Sequence, residues 1–259
     1  MEIKFIDAIN NEYNLTFSIS NKDITGITGD NILDILNLDY FPEGEVYFTK
    51  KLLKSNYNTI KRKISLVPST FIKQPHLDTV LENMEYVIED KRLSIKDPQK
   101  KIEDSLKIVG LTKSYLNRSI NSLSKSELRL ISIAISLLSN PEIIILDDIF
   151  KELDTKYQKK IFMLLTKLKD SYKKTIILYS NNSNILYKYT NKMIFIKNKK
   201  VLLEGKTDEV YQRVNYLQRN GFDIPDIVLF TYIAKKKKNV NISYHKDIRD
   251  IIKDIYKHI

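Results

Sequence analysis

The run Ile143-Ile144-Ile145-Leu146, closed by Asp147-Asp148, constrains this chain more than any other segment. Four aliphatic side chains in a row leave neither face of a strand for water, so the segment predicts a strand covered on both sides, as inside a parallel sheet. Thr175-Ile176-Ile177-Leu178 repeats the pattern, with helical spacing over about 155–170 between the two. Strands alternating with helices predict an α/β fold around a parallel sheet. Ligands of such sheets gather at the carboxyl ends of the strands, which makes Asp147 a candidate Mg²⁺ ligand. Asp148 beside it is a candidate for orienting or deprotonating water. Hydrophobic strands also end in acidic residues where only solvent waits, so the pair alone does not decide between the two.

The remaining elements follow from periodicity and punctuation. Residues 2–5 and 15–19 read as short strands, followed by a turn at Thr25-Gly26-Ile27-Thr28-Gly29 and a helix built on Ile32, Leu33, Ile35 and Leu36. Residues 44–48 and 64–67 are strand-like, while 76–90 and 97–110 read as helices, the second closing at Gly110. Ser122 or Ser124 caps a helix that runs to about Leu138 and stops before Asn140-Pro141. A helix near 183–190, strands at 193–196 and 201–203, and a mainly helical tail over 215–259 complete the chain.

Composition narrows the chemistry. Zero cysteines exclude disulfides and thiolate metal sites, and three histidines (His76, His245, His258) leave little for a zinc centre. Metal chemistry falls to carboxylates and Mg²⁺. No run approaches the roughly 18 apolar residues of a membrane span, and Met1-Glu2-Ile3-Lys4 lacks the layout of a secretory signal, so a cytoplasmic chain is expected. The net charge of +11 suits nucleic acid or an anionic membrane, but the lysines are spread among Asn, Ile and Tyr. The one cluster is Lys235 to Lys238.

Four elements stand in order over some sixty residues: Leu123-Ser124-Lys125-Ser126-Glu127 at a helix start, the Asp147-Asp148 strand, Leu153-Asp154, and the strand ending in Tyr179-Ser180-Asn181-Asn182. In this order and spacing the segment resembles the signature motif (usually L-S-G-G-Q), Walker B strand, D-loop and switch region of the ABC ATPase family. Within it the chain is most similar to the energy-coupling factor transporters. Lys63 to Val67 resembles the strand entering their Q-loop, Asp78 to Asn83 the segment after it, and Val201 to Val210 their closing strand and helix. Gly221-Phe222-Asp223-Ile224-Pro225 is similar to the start of their C-terminal helical extension, which helps pair two ATPase subunits. The resemblance implies a P-loop NTPase-like cassette over 1–214, with an antiparallel β part and a helical subdomain at about 72–140. Residues 215–259 are then a helical extension serving dimerisation.

The chain departs from the family where nucleotide is held. A loop of the form G-x-x-x-x-G-K-[ST] works because its amides curl round the phosphates while lysine neutralises them. Gly26 to Asn31 begins like that loop, but Ile32 to Asn37 already resembles the helix beyond it. The glycine, lysine and hydroxyl segment between, about six residues against the motif, is missing, and Gly26 and Gly29 remain as remnants. Gly205-Lys206-Thr207 is a decoy, since position 200 is Lys and the triplet fits the late strand and turn. Ser69 stands for the Q-loop Gln, a Mg²⁺ contact in the family. Asn181 stands for the switch His, and Asp148 for the catalytic Glu. Tyr13 is the stand-in for the aromatic that stacks on adenine.

These readings imply a chain that does not hydrolyse ATP alone. Ser124, Lys125, Ser126 and Glu127 are expected to face ATP and Mg²⁺ held by an intact partner ATPase in a heterodimer, with Asp154 communicating across the interface. The pair is expected at the cytoplasmic face of the membrane, under an integral component that imports a micronutrient. Two other readings stay open: an active ATPase using Gly26 to Asn31 with a lysine such as Lys22, and a basic module that binds nucleic acid. No nucleic-acid partner is expected on the first reading.

Overall fold

The structure, a computed structural model, describes residues 2–10, 13–39, 43–49, 51–238 and 242–257; His258, one of the three histidines, lies outside them. In chain order the elements are β1 (Glu2–Asn10), β2 (Tyr13–Ser20), β3 (Ile24–Gly29), α1 (Leu33–Leu36), β4 (Glu43–Phe48), β5 (Lys51–Leu52), α2 (Tyr57–Lys61) and β6 (Ile64–Val67). Three helices follow, α3 (Val80–Asp90), α4 (Pro98–Ile108) and α5 (Lys125–Ser136). The chain then alternates through β7 (Ile143–Asp147), α6 (Thr155–Asp170), β8 (Thr175–Tyr179), α7 (Ser183–Tyr189), β9 (Lys192–Lys197), β10 (Lys200–Lys206) and α8 (Thr207–Tyr211). It finishes in α9 (Val214–Arg219), α10 (Asp226–Lys238) and α11 (Ile248–Lys257).

Six strands form one sheet in the order β10-β9-β3-β8-β7-β6, parallel except for β10 at the edge. A second, antiparallel sheet has the order β2-β1-β4-β5. The apolar run of β7 explains why the two sheets must stack. Ile144 and Leu146 enter the core under the helices, and Ile143 and Ile145 enter the core between the sheets. Both faces of the strand are covered, as the unbroken aliphatic run requires.

One expectation is corrected. Thr25 to Gly29 is no turn: it belongs to β3, which pairs with β8 on one side and β9 on the other. Glycine is there for packing, since a Cβ on Gly26 would lie 2.4 Å from Met193 Sδ and 2.9 Å from Thr190 Cγ2. The chain therefore opens with an antiparallel pair, then enters the parallel sheet at its third strand.

α3, α4 and α5 fall where helical periodicity puts them. Thr79 and Ser124 each make a reciprocal capping box, with Glu82 and Glu127 respectively. Gly110, at φ +76, ends the α4 segment. The tail packs against β9 of the large sheet, where Phe222 meets Phe195 edge-on at 5.0 Å and Val214, Leu217, Ile224 and Val228 join the helical core. Among the described residues no helix is long and apolar enough to cross a membrane.

Candidate functional site

The carboxyl ends of β3, β7 and β8 lie side by side, which brings Gly29, Asp147 and Tyr179 into one neighbourhood. β3 ends at Gly29, and only residues 30–32 separate it from the four-residue α1. Asp30 and Asn31 of that connection are tied to the chain around them. Asp30 N–H donates to Ile196 O at 3.1 Å, the Asp30 carboxylate accepts Lys199 N–H at 2.7 Å, and Tyr13 OH donates to Asn31 O at 3.2 Å. Asn31 Oδ1 takes the Leu33 N–H at 3.0 Å. The Asp30 and Leu33 amides are thus engaged within the chain.

The two glycines read as remnants of a phosphate loop lie within β3. Gly29 adopts φ +104, and a Cβ there would sit 1.9 Å from Ile196 O, so its freedom serves strand packing. Its N–H, together with Thr28 Oγ1, donates to Asn181 Oδ1, each at 3.1 Å. Its carbonyl accepts Tyr179 OH at 3.0 Å. Asn181, read from the sequence as the switch residue, thus takes two donors at the end of β3.

The acidic pair is engaged as well. Asp147 Oδ2 accepts the Ser69 N–H at 3.2 Å, so Ser69 meets it through its backbone. Asp148 is in the left-handed region at φ 45; its N–H donates to Tyr179 O at 2.9 Å and its carboxylate accepts Ser180 OH. The surroundings are anionic. Burial first, then Asp147, Tyr13, Asp148 and Asp30, pushes the Tyr179 hydroxyl up to about 12. Arg129 of α5 is half buried; burial pulls its guanidinium below the usual range, with the charges of Glu152, Asp147 and Asp148 opposing that, and its Nη1 donates to the Pro68 carbonyl at 3.5 Å.

Mg²⁺ and a triphosphate do not fit this end of the sheet as the chain builds it. Mg²⁺ held by one or two carboxylates completes its shell with phosphate oxygens, which need a cradle. The connection at 30–32, Asp30-Asn31-Ile32, is three residues long and brings neither lysine nor hydroxyl, and no three carboxylate or imidazole groups converge on a point among the described residues. Lys22 does not repair this. It precedes the other end of β3, about 17 Å away at the usual rise per residue.

The start of α5, read from the sequence as the signature segment, is organised differently. Ser124 caps α5; its hydroxyl donates to Glu127 Oε2 at 2.8 Å and accepts Glu127 N–H at 3.3 Å. Glu127 points inward, receiving Tyr115 OH and Arg118 Nη1, both at 2.7 Å. Burial, the largest single influence, opposes ionisation. The Ser124 N–H, Tyr115, the Ser124 hydroxyl and Arg118 together outweigh it, holding the carboxyl down at about 2. Ser124 and Lys125 are exposed and Ser126 half exposed, with Lys125 paired to Glu152. Asp154 caps α6 by accepting Tyr157 N–H at 2.8 Å and is exposed beside buried Leu153.

Two groups escaped the motif reading. Arg129 is one. Glu127 as the inward anchor of the cap is the other, although the S-x-x-E spacing carried that signal. Of the lysine cluster, Lys235 and Lys236 lie over Tyr244 and Tyr232 at 4.6 and 5.7 Å.

A family model described as ABC transporter matches residues 13–151. The energy-coupling factor transporter ATP-binding protein EcfA2 of Mycoplasma mobile is 27% identical over 211 residues, spanning 82% of this chain and 68% of that protein. The EcfA2 of Caldanaerobacter subterraneus is 26% identical over 249 residues, spanning 92% and 85%. Among solved structures, MJ0796, described as a bacterial ABC transporter cassette with a dimeric structure, matches at TM-score 0.66 and 27% identity, over 79% of this chain and 98% of that one. cbiO1 from Clostridium perfringens, described as part of the ABC transporter complex cbiONQ, matches at TM-score 0.72 over 89% and 98%; at 20% identity it shows the fold alone.

Proposed function

The chain belongs to the ABC transporter family, and on that premise we propose that it is a degenerate ATP-binding subunit of the energy-coupling factor type, without ATP hydrolysis of its own. It pairs with an intact ATPase paralogue and sits at the cytoplasmic face of a membrane component that imports a micronutrient.

The observation that carries this reading is the contact of Asn181 Oδ1 with Gly29 N–H and Thr28 Oγ1. In the family that end of the strand opens into amides that cradle phosphate. Here the nearest donors are satisfied internally, and Asp30, Asp147 and Asp148 make the surroundings repel a polyanion.

The exposed start of α5 supports a role towards ATP held by the partner. The capping box uses the Glu127 N–H and leaves the first amides of the helix, with Ser124 and Lys125, facing outward. A helix N-terminus with a nearby cation suits a γ-phosphate. Glu127 then positions the helix without touching nucleotide.

A groove of about 230 Å³ beside Ser69, lined by Pro68, Phe71, Ile72, Tyr86 and Val87, supports a contact with the membrane component. Ile72 is 69% exposed there. The C-terminal helices α10 and α11 serve the pairing of the two ATPase subunits on this reading. The test is ATP turnover by the co-purified pair. Ser124→Ala in this chain should abolish most of it, and an unchanged rate would remove the partner-directed role.

A further inference from the structure

α7 begins just behind Asn181, and the C-terminal segment holds it at both ends. In its first turn Asn184 bonds reciprocally with Asp226, the first residue of α10. Asn184 Nδ2 donates to Asp226 Oδ2 at 2.9 Å, and the Asp226 N–H donates to Asn184 Oδ1 at 2.8 Å. Beyond its last turn, Lys246, just ahead of α11, donates from Nζ to the Thr190 carbonyl at 2.7 Å. The same ammonium lies over the Tyr187 ring at 5.7 Å and pairs with Asp208 at 3.5 Å.

A helix of two turns is nearly all ends, so it keeps little order without outside partners. The Asn182 side chain takes the Ile185 N–H at 3.0 Å, and a cation at the closing carbonyl complements the helix dipole. Tyr187, edge-on to Tyr211 at 5.5 Å, and Leu186 fix the inner face. Sliding along the helix axis is resisted by the contacts at residues 184 and 190, and both come from the tail. Asn182 follows Asn181 directly, so a shift of α7 is passed to the Oδ1 that holds Gly29 N–H and Thr28 Oγ1.

We propose that the C-terminal segment clasps α7 through Asp226 and Lys246, and thereby sets how firmly Asn181 closes the end of β3. Asn184, Asp226 and Lys246 are positioning residues. Where α10 and α11 meet a partner subunit, the clasp carries the state of that interface to Asn181; this extension rests on the functional reading above, whereas the clasp belongs to the lone chain.

The experiment follows amide exchange in the full chain, without nucleotide or partner, for the wild type, Asp226→Ala, Lys246→Met, Asn184→Asp and the double variant Asn184→Asp with Asp226→Asn. Asp226→Ala and Lys246→Met should each speed exchange at Ile185 and Gly29 roughly three- to tenfold, as the loss of one hydrogen bond does. Asn184→Asp sets carboxylate against carboxylate and should do the same. Adding Asp226→Asn restores a donor facing an acceptor, and both amides should return to wild-type rates. Unchanged exchange within β7 shows that a variant remains folded; should Lys246→Met unfold, the substitutions at residues 184 and 226, both exposed, carry the comparison. Faster exchange confined to the tail with Gly29 unmoved would overturn the proposal, as would a double variant that stays fast. A Gly29 amide already unprotected in the wild type would remove the Asn181 contact itself, and the functional reading with it, so the two failures are told apart.

Discussion

The side-chain oxygen of Asn181 accepts the backbone N–H of Gly29 at 3.1 Å, joining the switch position to the end of the central strand. Thr28 Oγ1 shares the same acceptor at 3.1 Å. Asn181→Ala should cost about 1 kcal/mol, since the released donors lie close to water. Melting should fall by about 2–4 °C for a chain of this size. The variant should gain no affinity for Mg·ATP, because the missing lysine and amides are not restored. A gain seen by calorimetry would mean that Asn181 alone closes the site.

Gly29→Ala and Gly26→Ala should differ sharply. At Gly29 a Cβ meets the Ile196 backbone oxygen at 1.9 Å with φ +104, so the β3–β9 pairing must break and the loss should be several kcal/mol. At Gly26 the nearest atom is Met193 Sδ, a flexible side chain, so the cost should be about 1–3 kcal/mol. Denaturant midpoints of the two variants test the ranking.

How far the sequence carries is clear from these same residues. The aliphatic run of β7 and the S-x-x-E cap of α5 were legible because each obeys a local rule, burial on both faces in one case and amide satisfaction in the other. β3 was not legible as a strand, because its glycines answer to Met193 and Ile196, which are more than 160 residues away in the chain. Order and spacing alone single out Asn181, but its partner, 152 residues distant, is set by the β3–β8 pairing. Arg129 carries no motif at all; only the packing of α5 against the strand ends gives it meaning.

The Glu127 cluster predicts an acid dependence. Its carboxyl is held at about 2 in the folded chain, below the ordinary 4.5. Its stabilisation is complete above pH 4.5 and is lost as pH falls through about 2. Melting points of the wild type and Glu127→Gln should differ by a constant amount above pH 5 and converge towards pH 2. A difference that stays constant through that range would contradict the shift.

Ile72→Asp should leave folding unchanged, since the side chain is 69% exposed. In the assembled complex it should weaken retention of the membrane component, because a charge would enter the groove beside Pro68 and Phe71. Co-purification with the membrane component, alongside the melting point of the lone chain, separates the two effects. Undiminished retention would move the contact elsewhere.

The account stands most directly on calorimetric titration of Mg·ATP into the purified chain alone. It predicts no binding heat in the micromolar range, for wild type and Asn181→Ala alike. Saturable binding with low-micromolar affinity would contradict it, for the chain would then possess a phosphate site that Gly29, Asn181 and Asp147 do not form.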